Sequence, residues 1–154
     1  MSKRYLLIIA VVGIASMFLA TAIYAGTTVA DVVTMENKAY AKHKKGIVKF
    51  SHKKHNEEYK AGCGECHHDA DNKPLDALKM GDEVQNCIEC HTKASRPPKA
   101  KKGAAKLSSK DRMAYHAAAI HVNCKGCHKV ANKASGTKAA PTSCGKCHPK
   151  KKKH

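Results

Sequence analysis

The chain has 154 residues, with 29 Lys and Arg against 12 Asp and Glu, a formal net charge of +17, eight Cys and 11 His. That length has room for one domain, but there is no Trp and there are only two Phe. An ordinary globular core built from side chains is excluded, because so little apolar area does not offset the conformational entropy of folding.

Residues 1–25 open with Lys3 and Arg4 and then run without a charge from Tyr5 to Ala25. A basic start, an apolar stretch and small residues at the end describe a secretory signal. Cleavage fits after the A-x-A match Ala20-Thr21-Ala22 or after Ala25. The apolar run is also long enough to span a bilayer, so an uncleaved anchor is the other reading. Either way the cysteines face the oxidising side of the membrane. Export and the lack of a recognition motif argue against nucleic acid as a partner, despite the basic charge.

Residues 26–45 read as an N-terminal extension without recognisable chemistry, and His43 as a solvated surface histidine. The domain proper is taken as 46–154. Gly46 to Phe50 carries β-branched and aromatic residues, with Val48 and Phe50 flanking Lys49, and predicts a short strand. His52 and His55 follow, three apart, so one helical turn projects both from one face.

Next comes Cys63-Gly64-Glu65-Cys66-His67, with His68 directly after it. C-x-x-C-H is the signature of covalent c-type haem attachment. Two thiols a short turn apart add across the two vinyl groups of one porphyrin, and the adjoining histidine meets the iron from one face. The pattern returns at Cys87–His91, Cys124–His128 and Cys144–His148, with second cysteines Cys90, Cys127 and Cys147. Four copies account for all eight cysteines. A disulfide framework has no reason to place His after every second Cys. Two four-thiolate zinc sites would leave the four histidines unexplained, and iron–sulfur ligation has no use for them. Four covalent haems c are therefore expected, about 32 residues of mature chain to each, forming the core of a polypeptide wrapper with little secondary structure.

Residues 69–86 form a polar loop with Pro74 and Gly81; Met80, in it, is read as packing on a macrocycle rather than as a ligand. Residues 92–110 hold seven basic residues, no acidic ones and Pro97-Pro98, and read as a solvated linker. Ser108 and Asp111 make an S-x-x-D cap, after which Lys110 to Val122 is predicted helical. Met113, Ala117, Ile120 and His121 share one apolar face of that helix. His116 lies five residues before His121, about 140° around it.

The strand Val48-Lys49-Phe50, the pair His52-x-x-His55, the first motif with His68 behind it and the three further motifs together resemble the class III, or multihaem low-potential, cytochromes c of sulfate- and metal-reducing bacteria. The resemblance covers roughly residues 46–148. Many members have four residues between the cysteines of sites two and four, whereas every site here is C-x-x-C-H. The resemblance implies a small, mostly irregular and α multihaem fold with a short N-terminal β strand and few helices. It also implies distal ligands: His52 with His67 on haem 1, His68 with His91 on haem 2, and His55 with His128 on haem 3. It takes the ligand for haem 4 from just before site three, where His121 is chosen for the apolar face and His116 is the alternative, paired with His148.

Eight of the 11 histidines are then used, leaving His43, His154 and one of His116 or His121. With both axial positions filled no iron has an open site, so outer-sphere electron transfer is expected rather than catalysis, at low potential compared with His/Met ligation. Residues 51–91 hold nine acidic and five basic residues, net −4; residues 92–154 hold 17 basic residues and one acidic, Asp111, net +16. That asymmetry would steer an acidic partner towards haems 3 and 4, with Lys125, Lys129, Lys146 and Lys150–Lys153 as the docking candidates. The expected function is a periplasmic electron carrier of anaerobic respiration. By the resemblance, it exchanges electrons with acidic redox proteins such as a periplasmic hydrogenase or formate dehydrogenase and with membrane redox complexes. The alternative is a haem subunit or conduit of a membrane-bound or extracellular assembly, in contact with the membrane only if the signal is uncleaved.

Overall fold

A computed structural model describes residues 29–103 and 105–150. The signal segment 1–25, Lys151–Lys153 and His154 lie outside the described residues.

Two short strands open the fold. β1 (Val33–Thr34) pairs antiparallel with β2 (Lys49–Phe50) in the register Val33↔Phe50 and Thr34↔Lys49. A main-chain bond from Met35 N to Val48 O, 2.9 Å, extends the contact. The strand expected at 46–50 is thus present over its last two residues. Its partner comes from the 26–45 stretch, in which the sequence showed no role. Ser51 then starts α1 (His52–Glu57), whose length of six residues sets His52 and His55 one turn apart.

Each attachment motif opens on a helical turn. The first is a 3₁₀ turn at Cys63–Glu65, the second α2 (Cys87–Cys90), the fourth α5 (Cys144–Cys147). In all three the histidine amide donates to the carbonyl of the first cysteine four residues back, at 2.8, 2.9 and 2.8 Å. That closure brings the first thiol and the imidazole to one side of the turn. Asn86 and Glu89 form a reciprocal capping box on α2.

The helix expected at 110–122 differs in the structure. It is split into α3 (Ser109–Met113) and α4 (His116–Ser135). Ser108 caps α3 as anticipated, its Oγ accepting from Asp111 N at 3.0 Å. The break falls at Tyr115, which is extended (φ −89°, ψ 114°) because it forms a parallel bridge with Lys93. Lys93 N donates to Ala114 O and His116 N to Lys93 O, both at 3.0 Å. These bonds replace the helical ones that the junction gives up. Met113 therefore does not share a face with Ala117, Ile120 and His121. In the other direction α4 runs through the third motif, since no Pro interrupts it, and stops at Gly136, whose φ of 66° suits a residue without Cβ.

Little is buried. Among the described residues Ala118 is the buried apolar side chain and His116 the buried polar one, each 7% exposed, and no side chain falls below 2%. Val122, Val130 and Met80 are 56%, 69% and 43% exposed. The described residues form turns and one long helix with almost no side-chain core, in keeping with the composition. Among the described residues no helix is long and apolar enough to cross a membrane.

Candidate functional site

Eight histidine rings meet in four pairs. His52, from α1, lies 6.4 Å from His67 between ring centroids, with the planes at 73°. His68 lies 6.0 Å from His91 at 65°. His55 lies 6.1 Å from His128 at 26°, and His121 lies 6.1 Å from His148 at 36°. Each pair joins the histidine of one C-x-x-C-H motif to a histidine outside that motif. The separation has a simple reading in coordination chemistry. A metal–imidazole bond of roughly 2.0 Å, plus about 1.1 Å from the nitrogen to the ring centre, counted on both sides of one ion, gives about 6.2 Å.

Hydrogen bonds to main-chain carbonyls orient the rings. Nδ1 of His55 bonds to Ser51 O at 2.8 Å, of His68 to Asp69 O at 2.8 Å, of His128 to Pro141 O at 2.7 Å and of His148 to Gly46 O at 2.8 Å. Nδ1 of His91 bonds to Met113 O and that of His121 to Ala117 O. A carbonyl only accepts, so Nδ1 carries the proton and Nε2 keeps its lone pair for a metal. His52 differs: its Nδ1 is buried and has no partner among the described residues.

The elements that hold these carbonyls explain the arrangement. Asp69 stiffens the turn after His68 by accepting from Asp71 N and Lys73 N at 2.9 and 2.8 Å. Asn132, one turn beyond His128, clamps Ala140 with both ends of its amide at 2.9 Å, which sets Pro141 against α4. Gly46 packs under the last motif so closely that a Cβ there would stand 2.1 Å from Pro149 O. In the first motif, a Cβ on Gly64 would stand 2.1 Å from Asp76 Oδ1.

None of the eight cysteines is joined to another in a disulfide. Burial pushes the Cys66 thiol up to about 11, helped by Cys124 and Cys127 nearby. The Cys124 thiol is raised likewise, by burial first and then by Cys87 and Cys147. Asn123 ties that helix to the first motif, its amide donating to Cys66 O at 3.0 Å. Among the described residues no three or more His, Cys, Asp or Glu converge on a point, as a zinc site of several ligands would need.

His116 takes a different place from His121. Its Nδ1 bonds to Tyr40 Oη at 2.9 Å, and burial lowers its pKa, with His91 nearby adding to the shift. His43 is half-buried and stacks on Tyr40 at 5.3 Å and 27°, in place of the solvated surface position expected for it. Tyr40, Asn123, Asn132 and Gly46 carried no signal in the sequence, because each acts through a contact distant in the chain.

The Class III cytochrome C family matches residues 28–148, which takes in most of the stretch read as an extension. A cytochrome c3 of Maridesulfovibrio salexigens is 40% identical over 125 residues, which cover 80% of this chain and 96% of that protein. No solved structure gives a significant match. With the family matched from before β1 to the last motif histidine, the chain belongs to the class III cytochromes c.

Proposed function

We propose that the chain is an exported low-potential electron carrier holding four covalent, bis-histidine c-type haems. Membership of the family makes it a multihaem electron carrier. The number of haems, their ligands, the compartment and the partners are the further reading. The observation that carries it is the set of four imidazole pairs at 6.0–6.4 Å, each with one motif histidine.

In this reading Cys63 and Cys66 hold haem 1 between His52 and His67, and Cys87 and Cys90 hold haem 2 between His68 and His91. Cys124 and Cys127 hold haem 3 between His55 and His128, and Cys144 and Cys147 hold haem 4 between His121 and His148. Bound haem supplies a reversible one-electron iron couple. The chain does the rest. The Nδ1–H···O=C bonds strengthen the imidazoles as donors, which favours the ferric state and a low potential. Two histidines per iron leave no coordination position for a substrate, so the protein is read as a non-enzyme. Through α4, which carries His121 and Cys124 to His128, haems 3 and 4 share one rigid element, and Asn123 couples it to site one. That shared framework suits transfer from haem to haem.

Export follows from residues 1–25, and the compartment from the need to attach haem to reduced thiols outside the cytoplasm. The exposed lysines Lys125 and Lys146 lie within the third and fourth motifs, Lys129 and Lys150 just after them, and all four face acidic redox partners. A hydrogenase, a formate dehydrogenase and membrane redox complexes are the partner classes in view.

Mass spectrometry of the holo-protein tests the core of the reading. The expected mass is the polypeptide processed near residue 25 plus four haems that survive acid–acetone extraction. A zinc-loaded protein without a Soret band refutes it. Ready carbon monoxide binding without denaturation would reveal an open iron and an enzyme-like site.

A further inference from the structure

We propose that Tyr40 and His116, neither of them an iron ligand, form a positioning pair that fixes the orientation of His91 on haem 2. The inference rests on the ligand set proposed above and adds to it two residues outside that set.

His116 is the buried polar side chain of the described residues. A buried imidazole needs a partner, and this one finds it in a side chain 76 residues earlier, Tyr40 Oη at 2.9 Å. The six ligand candidates with bonded Nδ1 atoms all use a main-chain carbonyl, His55 with a longer contact to Ser51 Oγ at 3.5 Å besides; among these rings His116 is the one whose Nδ1 is held by a hydroxyl alone. Tyr40 is itself held in place. Asn37 accepts from Ala39 N through its side chain and from Tyr40 N through its carbonyl, at 2.9 and 3.2 Å, a turn that points the tyrosine inward. His43 stacks on its ring at 5.3 Å.

From His116 the connection to haem 2 runs through three hydrogen bonds. His116 N donates to Lys93 O at 3.0 Å, Lys93 N donates to Ala114 O at 3.0 Å, and His91 Nδ1 donates to Met113 O. Residues 91–93 and 113–116 are thus laced into a parallel bridge, and the carbonyl that orients His91 sits on one rail of it. The lace lies at the break between α3 and α4, where helical bonds are missing. The Lys93 bonds hold that junction open, and a further clamp would oppose any return to a continuous helix, which would carry Met113 O away from His91. The Tyr40–His116 bond supplies the clamp from outside.

The test uses holo-protein variants Tyr40→Phe and His116→Gln, with signals of haem 2 assigned as those that His91→Ala abolishes. Tyr40→Phe keeps the ring and loses the bond. It is expected to shift the paramagnetic haem-methyl resonances and the electron paramagnetic g values of haem 2, leaving haems 1, 3 and 4 in place and all four irons low-spin. His116→Gln retains an amide that can meet the Tyr40 hydroxyl, and is expected to return the haem 2 signals most of the way to wild type. A fall in thermal midpoint with haem 2 signals unmoved would reduce the pair to a structural clasp and overturn the proposal. Equal shifts at all four haems would overturn it as well. If His91→Ala leaves every iron six-coordinate, the ligand reading itself fails, a result separate from either of these.

Discussion

The imidazole planes of His55 and His128 lie only 26° apart, whereas those of His52 and His67, at nearly the same separation, cross at 73°. The other two pairs divide the same way, His121 with His148 at 36° and His68 with His91 at 65°. Axial ring orientation controls the iron d orbitals of π symmetry. Near-parallel rings split that pair of orbitals, and crossed rings leave them close in energy. The ferric protein at low temperature is therefore expected to show two classes of low-spin signal. Under the proposed ligation, haems 3 and 4 should give the ordinary rhombic class, and haems 1 and 2 the class with one very large g value. Four equivalent rhombic signals would contradict the ring geometry.

Spacing makes part of this site legible in the sequence itself. C-x-x-C-H names its own thiols and proximal histidine because the chemistry is local: one helical turn carries all three groups. Composition also announced a fold with almost nothing buried. What stayed hidden is non-local. A helix over Lys110–Val122, capped from Ser108, satisfied every local rule, yet Tyr115 leaves it, because Lys93 offers main-chain bonds that capping patterns do not encode. Residues 26–45 looked inert for the same reason. Their contributions, β1 and Tyr40, take meaning only from partners at Lys49–Phe50 and His116. The distal histidines stood between these cases: His52 and His55 were visible as a pair, but which ring each would meet came from resemblance and not from spacing.

Gly46 links the N-terminal segment to the last motif, and its replacement is a sharp probe. A Cβ there meets Pro149 O at 2.1 Å, a main-chain atom that no rotamer change moves. Gly46→Ala must displace one strand of backbone, at a cost of about 1–3 kcal/mol. Gly46 O is also the acceptor for His148 Nδ1, so the displacement reaches haem 4. The expected result is a lower thermal midpoint together with a change in the haem 4 resonances alone. Gly62→Ala, where a Cβ meets nothing within 4 Å, is the control and should leave both unchanged.

His116 and His121 separate cleanly by substitution. His121 faces His148 at 6.1 Å with Nδ1 on Ala117 O, while His116 turns to Tyr40. His121→Ala is expected to give one high-spin, carbon monoxide-binding haem per protein and to raise the haem 4 potential. His116→Ala should leave all four irons low-spin, and lose stability by about 1–3 kcal/mol because the Tyr40 hydroxyl is left without its partner. High-spin iron in the His116 variant, with the His121 variant unaffected, would exchange the two assignments.

The charge split makes a kinetic prediction. Lys146 and Lys150 are exposed on and just beyond the fourth motif, within a half of the chain that carries net +16. Lys53 and Lys54 are also exposed, but each has an acidic neighbour: Lys53 Nζ lies 3.7 Å from Asp31 Oδ2 and Lys54 Nζ 3.5 Å from Glu58 Oε2. Exposed charges act over about 8–10 Å at physiological salt and farther in dilute buffer. Changing Lys146 and Lys150–Lys153 to Gln should therefore slow association with an acidic redox partner several-fold at low salt and much less at high salt. Stopped-flow reduction across a salt series measures both. The haem potentials should move little, since the substituted charges at Lys146 and Lys150 stand in solvent, where water screens them from the irons. The Lys53 and Lys54 double substitution should change the rate little at any salt, because an opposite charge already offsets each lysine. Equal slowing by the two sets would mean that overall charge and not its placement governs encounter, and the docking face would have to be sought away from the third and fourth motifs.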